Sequence, residues 1–201
     1  MPDSAINMRF MTQRLMIAMR RDDETVLTYI TKSGEKTRHI TLIDPAKQAP
    51  KVAAERALTA IESGSSMIFV GGSTDTPDEI VHATCTAIQE MLELRIFAAS
   101  QSPDSDEDQW KVPVVLFPGG SHALSPAADA ITFMMLMNSR ERRFLIDEQL
   151  RGAPYIDKFD IDPLPTGYLV CHPGGKVGEV GQADLIMPND VDLVKSYSLT
   201  A

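Results

Sequence analysis

The chain has 201 residues, a formal net charge of −9 and 43% hydrophobic residues, which suits one domain with a sizeable core. The acidic balance disfavours nucleic acid as a partner, because phosphate contacts need clustered lysine and arginine. No apolar run is long enough to span a bilayer, and charged residues near the N-terminus argue against a secretory signal. Two distant cysteines, Cys85 and Cys171, match no disulfide or zinc spacing, which favours a reducing cytoplasm.

Residues 1–38 are rich in methionine and predict a helical segment ahead of a larger unit, 39–201. The first strand reads His-Ile-Thr-Leu-Ile-Asp over residues 39–44, and a proline stops it. A short apolar run closed by Asp-Pro indicates a buried parallel strand that delivers Asp44 to its C-terminal edge. In barrels of alternating strands and helices, the chemistry lies at that edge.

The second strand, predicted at residues 67–70, runs into Gly71-Gly72-Ser73-Thr74 between helices predicted at 48–63 and 78–94. Glycines at the end of a strand let the backbone approach a ligand closely, and the following N–H groups can face an anion. The acidic stretch 100–110 lacks the spacing of a calcium loop, so we expect a solvated surface loop.

The third and fourth strands are predicted at residues 113–117 and 129–136, and the third runs into Pro118-Gly119-Gly120-Ser121. Only residues 118–128 connect the two strands. A parallel crossover needs a dozen or more residues, usually with a helix, so this connection is too short for a full helix. The sequence therefore predicts a gap in the outer ring of helices beside the third strand.

A helix is predicted at residues 140–151, with Gly152 as its stop, and a fifth strand at 166–172. Tyr168 would then open that strand at the bottom of the barrel. A glycine-rich loop with Gly174 and Gly175 follows. Five parallel strands fit either an open doubly wound sheet or part of an eight-stranded barrel. The sequence lacks a Gly-x-Gly-x-x-Gly loop after the first strand, so we prefer the barrel.

Asp44 beside the loop of Ser73 suits a magnesium ion, which prefers oxygen ligands and takes one or two from the protein. Local sequence leaves two alternatives open, in which Asp44 only caps a turn and Ser73 only caps the next helix. His122 and His172 fall on the predicted rim as candidate bases or ligands. They lack a matching third zinc ligand, and loop histidines without a special role are commoner.

Several segments in the same order resemble the geranylgeranylglyceryl phosphate synthase family. They are His-Ile-Thr-Leu-Ile-Asp-Pro-Ala-Lys (39–47), Val-Gly-Gly-Ser-Thr (70–74), Val-Leu-Phe-Pro-Gly-Gly (115–120), Ser-Pro-Ala-Ala-Asp-Ala-Ile (125–131), Met-Asn-Ser (137–139), Gly-Ala-Pro (152–154), Pro-Thr-Gly-Tyr-Leu-Val (165–170) and Pro-Gly-Gly-Lys-Val-Gly (173–178). The resemblance implies an α/β fold of the TIM-barrel type, (βα)8, with the third helix replaced by a shorter connection. About five of its strands are visible in this sequence.

The resemblance also implies a reaction, which joins geranylgeranyl diphosphate to the 3-hydroxyl of sn-glycerol 1-phosphate in archaeal lipid synthesis. The family's magnesium aspartate falls on Asp44 and its hydroxyl ligand on Ser73, so Mg²⁺ is the expected cofactor. The glycines expected to bind substrate are Gly71, Gly72, Gly119, Gly174 and Gly175. An apolar groove for the prenyl tail would be lined by Phe69, Phe117, Phe133 and the methionine-rich run 134–137. Relatives suggest a homo-oligomer, and the lipid product suggests transient contact with a membrane surface.

Two departures limit the resemblance. Relatives often have an acidic residue near His172, where this chain reads Cys-His. The family also continues with a Tyr-Leu-Glu-Ala-Gly-Ser-Gly-like strand and two glycine-rich loops that this sequence does not contain, so the catalytic base stays unassigned. Two alternatives therefore remain beside the enzyme. One is a remnant that binds diphosphate without catalysis, and the other is a different phosphate-handling barrel enzyme.

Overall fold

A computed structural model describes residues 25–32, 37–72 and 76–201 of the chain. In chain order its elements are α1 (Val26–Thr31), β1 (Ile40–Ile43), α2 (Pro50–Glu62), β2 (Met67–Gly71), α3 (Asp78–Ser100), β3 (Val114–Phe117), β4 (Ala130–Leu136), α4 (Glu148–Lys158), β5 (Asp162–Tyr168), α5 (Gly175–Val180) and α6 (Val191–Thr200). A 3-10 turn follows β1 at Pro45–Lys47, and a π-helical turn at Arg143–Asp147 leads directly into α4. The N-terminal helical segment predicted for residues 1–38 lies largely outside the described residues.

The five strands form one parallel sheet in the order β1-β2-β3-β4-β5. Each strand pairs with the next one along the chain, as in the wall of a (βα) barrel. In a doubly wound sheet the strand order reverses partway along the chain, and no such reversal occurs among the described strands. The barrel-type fold class is confirmed, and the open doubly wound sheet is wrong.

Apolar side chains cover both faces of this sheet. The outer face packs against α2, α3 and α4 in one large cluster that includes Ile68, Val70, Val114, Leu116 and Ile131. On the inner face, helix α1 packs near the N-terminal ends of the strands, where Val26 joins Val115, Ala130 and Leu164. The backbone N–H of Val26 donates to a carboxylate oxygen of Asp162 at 2.9 Å. Helix α1 thus covers the end of the strands opposite the rim where chemistry is expected.

The connection between β3 and β4 contains no helix, as predicted. Polar side chains of α3 tether it instead. One carboxylate oxygen of Asp78 accepts from the backbone N–H groups of Ala123 and Leu124 at 2.5 and 3.2 Å. Further along α3, the Gln89 amide donates to the carbonyl of Ala127 at 2.9 Å. Backbone groups that a helix would satisfy internally are therefore bonded to a neighbouring helix, as buried polar groups require.

The helix predicted for residues 140–151 is wrong in its bounds. Helix α4 runs from Glu148 to Lys158, so Gly152 lies inside it and does not end it. Gly152 and Pro154 resemble stop signals in the sequence. In the fold, Gly152 is buried beside Ser121, and Ile156 one turn further on packs into the main core. This tertiary packing outweighs the local preference to end the helix.

The fifth strand is also shifted, from the predicted 166–172 to Asp162–Tyr168. Its first half contains Pro163 and Pro165, which argue against a central strand. The N–H of Asp162 and the carbonyl of Tyr168 both bond towards β4. Because alternate residues of a parallel strand bond to opposite sides, the two prolines face away from β4, where no bond to β4 is lost. Tyr168 therefore lies at the C-terminal end of its strand, and its predicted position at the bottom of the barrel is wrong.

Candidate active site at the C-terminal rim

A cavity of about 1010 Å³ opens at the C-terminal ends of the strands. Its walls include residues from the ends or following loops of all five strands, namely Asp44, Gly71, Gly72, Phe117, Gly119, Leu136 and Tyr168. The expectation that each strand brings a group to one rim is met by this arrangement. In barrel enzymes the active site usually lies at this edge of the strands, and the cavity is large enough to hold a ligand.

Asp44 has a built-in structural role as well as access to the cavity. One carboxylate oxygen accepts from the backbone N–H of Ala46 at 3.0 Å, which caps the 3-10 turn. The other oxygen lies 3.2 Å from the ammonium of Lys47, whose side chain is 73% exposed. The Asp44 side chain itself is 15% exposed, so solvent screens this ion pair on the lysine side only.

The donor set around Asp44 fits magnesium better than zinc. The described ranges contain no cluster of three or more His, Cys, Asp or Glu side chains able to hold a metal. Magnesium does not need one, because it keeps several waters and shares its remaining sites with ligand phosphates. One carboxylate on a cavity wall meets that requirement. Ser73, the second predicted ligand, lies outside the described residues.

The two glycines at the end of β2 lie where there is no room for a side chain. A Cβ atom on Gly72 would lie 2.9 Å from the carboxylate carbon of Asp44. A Cβ atom on Gly71 would lie 1.8 Å from the carbonyl oxygen of Phe117. Glycine is therefore required at both positions for close packing, apart from any ligand. The loop that begins at Gly72 starts against the rim carboxylate, as the magnesium hypothesis requires.

The other predicted glycines divide into two groups. Gly119 lines the cavity, 3.5 Å (from an added Cβ) from the carbonyl of Gly72. Gly174 and Gly175 have φ angles of 80° and 56°, and Gly174 packs against Leu185. Among the described residues that line the cavity, α5 and the residue after it contribute Lys176, Val177, Val180 and Gly181 instead. Backbone conformation explains the glycines at 174 and 175, and substrate binding by them stays a prediction.

The histidines also separate. His122 lines the cavity, whereas His172 is not among the described lining residues, and its backbone N–H donates to the carbonyl of Ile186 at 2.8 Å. His39 shares a hydrogen bond with the hydroxyl of Ser65 (2.8 Å) at the start of β1. Only His122 is therefore placed where a base or ligand of this cavity would have to lie.

The apolar wall contains most of the aromatic residues predicted for a prenyl groove. Phe117, Phe133 and Met134 line the cavity. The ring of Tyr168 meets that of Phe117 edge-on, with centroids 5.8 Å apart, and adds a polar hydroxyl to this wall. Phe69 stacks on Phe117 at 5.8 Å but supports the wall without lining it.

Sequence reasoning missed a polar wall formed by the start of α4. Gln149 donates to the carbonyl of Met134 at 2.7 Å, and its carbonyl oxygen is buried without a partner among the described residues. A buried acceptor on a cavity wall suits a ligand hydroxyl or a water. The sequence predicts only an outer helix at residues 140–151, and a glutamine on such a helix gives no sign that it faces a cavity.

The mouth of the cavity is cationic although the whole chain is acidic. The lysines and arginines among the lining residues are Lys47, Arg56, Arg143 and Lys176. They come from four separate segments of the chain, and no sequence motif groups them. Local positive charge of this kind raises the concentration of anionic ligands near a site.

Among the described residues, no helix is both long and apolar enough to cross a membrane.

Glu148 is, with Asp44, one of two acidic residues among the described residues that line this cavity. One of its oxygens accepts from the backbone N–H of Ser121 at 2.7 Å, and the other from Nε of Arg143 at 2.5 Å. Burial alone raises the pKa of Glu148, but the hydrogen bonds from Ser121 and the charge of Arg143 outweigh burial and lower the pKa to about 2. The carboxylate is therefore ionised throughout the physiological range and ties the glycine-rich loop to α4.

The depressed pKa of Glu148 predicts an acid-sensitive contribution to stability. Because the folded-state pKa lies below the ordinary 4.5, the contribution is complete above pH 5 and is lost as pH falls towards 2. We expect Glu148→Gln to be about 2 kcal/mol less stable than the unsubstituted chain at pH 7 and nearly equal to it at pH 2. Urea unfolding at several pH values measures this difference. The same difference in unfolding free energy at pH 7 and pH 2 would contradict this prediction. Glu141→Gln, a substitution at an exposed position nearby in the sequence, is the control.

The fold is that of a barrel protein, because each parallel strand pairs with the next one along the chain. Its rim cavity has a cationic mouth, which suits an anionic ligand.

A model of the PcrB family matches residues 32–201, and the chain belongs to this family. The resemblance drawn from the sequence motifs is confirmed by the curated relatives.

Geranylgeranylglyceryl phosphate synthase from Methanosarcina acetivorans is 42% identical over 161 residues, which cover 80% of this chain and 58% of that protein. The enzyme of the same name from Methanococcoides burtonii is 39% identical and covers 82% of this chain and 60% of that protein. The chain therefore spans about three fifths of the length of these relatives.

Two solved structures are similar over 89% of this chain and 65% of their own length. One is wild-type GGGPS from Thermoplasma volcanium, with a TM-score of 0.76 at 36% identity. The other is (S)-3-O-geranylgeranylglyceryl phosphate synthase from Thermoplasma acidophilum in complex with its substrate sn-glycerol-1-phosphate, with a TM-score of 0.73 at 34% identity.

Proposed function

We propose that this chain acts as a prenyltransferase that joins geranylgeranyl diphosphate to the 3-hydroxyl of sn-glycerol 1-phosphate. The observation that carries the proposal is the rim cavity, where Asp44 and four cationic side chains face the same space as an apolar aromatic wall. A prenyl diphosphate needs both kinds of surface. Membership of the PcrB family and the names of the relatives support the same reaction.

Different groups of cavity residues would bind the diphosphate, the prenyl chain and the acceptor. The cationic side chains of the mouth attract and hold the diphosphate, while Phe117, Phe133 and Met134 exclude water around the prenyl chain. Asp44, with Ser73 as the predicted hydroxyl ligand, would hold Mg²⁺. When bound, this ion would neutralise charge on the leaving diphosphate as the allylic C–O bond breaks. The acceptor hydroxyl must reach the same carbon, and Gln149, whose buried carbonyl oxygen has no hydrogen-bond partner among the described residues, is a polar residue of the same cavity wall.

A second candidate function is diphosphate binding without transfer. It is favoured by the position of Asp44 and of the four cationic residues of the mouth, which all lie within the described part of the chain and line one cavity. The chain spans about three fifths of its relatives, so the groups that hold the acceptor in the relatives need not all lie within it.

The deciding experiment incubates the purified chain with labelled geranylgeranyl diphosphate and sn-glycerol 1-phosphate, with and without magnesium. Labelled ether product formed only with magnesium is the expected result. Binding of the prenyl diphosphate without product would favour the second candidate, and the absence of both would contradict the proposal. A parallel assay with glycerol 3-phosphate of the opposite configuration tests whether the acceptor is recognised specifically.

We further infer a cytoplasmic location, since the absence of paired cysteines suits a reducing compartment. Transient contact with a membrane surface follows from the lipid character of the proposed product. A homo-oligomer stays a prediction, and size-exclusion chromatography with light scattering would measure it.

A further inference from the structure

Arg143 occupies an unusual position at the mouth of the cavity. It opens the π-helical turn that precedes α4, and its side chain is about half exposed. π-helical turns occur frequently at functional sites, where the extra residue redirects side chains. Arg143 lines the cavity, whereas its neighbour Arg142 pairs with Asp147 and is absent from the described lining.

Only one of the three guanidinium nitrogens of Arg143 is engaged. Nε donates to Glu148, and the guanidinium carbon lies 5.1 Å from the ring centre of Phe144. Within the described ranges, the two terminal amino groups have no hydrogen-bond partner. A planar guanidinium with two unused donors is well suited to a phosphate group, which accepts two parallel hydrogen bonds.

Glu148 fixes this arrangement from the other side. Its side chain is 11% exposed, and its two oxygens bond separately to Ser121 and Arg143. The carboxylate therefore couples the glycine-rich loop after β3 to the arginine of the π-helical turn that precedes α4. Arg151 also approaches the same carboxylate at 3.4 Å, but it is not among the described lining residues.

We propose that Arg143 binds the diphosphate head group of the ligand and that Glu148 is a positioning residue, which holds the guanidinium and the Pro118–Ser121 loop in place. This inference rests on the proposed function, because it names a residue that recognises the anionic half of the proposed substrate. It assigns Glu148 a favourable effect on anion binding although the carboxylate itself repels anions.

The positioning role and the charge of Glu148 predict opposite effects on anion binding, so a substitution that removes the charge distinguishes them. Glu148→Gln keeps an acceptor for Ser121 and removes one negative charge from the mouth. If Glu148 is a bystander, Coulomb attraction predicts unchanged or tighter binding of an anion. If it positions Arg143, binding weakens, because the guanidinium loses its fixed orientation. A purely structural role for the side chain would not produce weaker anion binding in a variant of unchanged fold.

Calorimetry with inorganic diphosphate and with geranylgeranyl diphosphate, each with and without magnesium, measures the effect. We expect Arg143→Gln to weaken binding about tenfold and Glu148→Gln about fivefold. The double variant should bind no more weakly than Arg143→Gln alone, because Glu148 acts through Arg143. Arg142→Gln is the matched control, since it removes the same charge from the adjacent position, and it should change binding less than twofold.

Each outcome is decisive. Equal binding by the unsubstituted chain and Arg143→Gln, or unchanged or tighter binding by Glu148→Gln, would overturn this inference and leave the proposed function standing. Binding with the expected variant effects but without prenyl transfer would support this inference and contradict the transferase. If the unsubstituted chain binds neither diphosphate, both are overturned. Circular dichroism melting of each variant confirms that the fold is retained before binding is compared.

Discussion

Asp44→Asn is expected to lower magnesium-dependent prenyl transfer by on the order of 10²- to 10³-fold, the largest effect on activity among the substitutions considered. Asparagine keeps an oxygen that can accept from the N–H of Ala46, so the cap of the 3-10 turn is retained. It loses the charge that would hold a divalent cation. Product formation at increasing magnesium concentration, measured with labelled prenyl diphosphate, gives the result.

Two controls separate loss of the metal from loss of the fold. The thermal midpoint of Asp44→Asn should stay within a few degrees of the unsubstituted chain. Asp104→Asn, in the exposed acidic loop, removes the same charge far from the cavity and should leave activity unchanged. Undiminished transfer by Asp44→Asn would remove the metal role from this residue and leave only the cap.

Gly71→Ala is expected to have the largest effect on stability, with a loss of at least about 3 kcal/mol. The added methyl group would lie 1.8 Å from the carbonyl oxygen of Phe117, which belongs to the neighbouring strand. Backbone in a paired strand cannot move aside as the end of a flexible side chain can. The two strands must separate at the rim or β2 must shift, and urea unfolding would report the cost.

Gly119→Ala is the matched control for this change. Its added methyl group would meet the carbonyl of Gly72 at 3.5 Å, an ordinary van der Waals distance. We expect the free energy of unfolding to change by about 0.5 kcal/mol or less. Equal urea midpoints for the two variants would show that the close approach of β2 and β3 is not what requires glycine at position 71.

Much of the fold could be predicted because its signals are local. The strand ending at Asp44 combines an apolar run with a proline that stops it, and the glycine pairs after β2 and β3 mark the rim. The missing helix between β3 and β4 followed from chain length alone, since the connection is too short for one. Such features depend on a few adjacent residues, which the sequence shows directly.

The misplaced elements depend on distant contacts. Gly152 and Pro154 look like the end of a helix until Gly152 is seen to lie beside Ser121 and Ile156 to pack into the core. Pro163 and Pro165 look incompatible with a strand until their direction relative to β4 is known. The sequence around a single glutamate or glutamine on a helix does not indicate which loop or strand its side chain will contact. The contacts of Glu148 with Ser121 and of Gln149 with Met134 therefore cannot be predicted from the sequence.

The two prolines of β5 have a consequence for assembly of the molecule. A free strand edge is a template on which other chains can add strands, and it is exposed while later segments of a nascent chain are still being synthesised. With Pro163 and Pro165 on the side away from β4, that edge lacks N–H donors at two successive pairing positions. The described chain resumes parallel pairing only beyond them, between Cys171 and Ile186. The edge of β5 therefore offers few hydrogen-bond donors to a strand of another chain. The segment of this chain around Ile186 can still pair beyond the prolines, at Cys171.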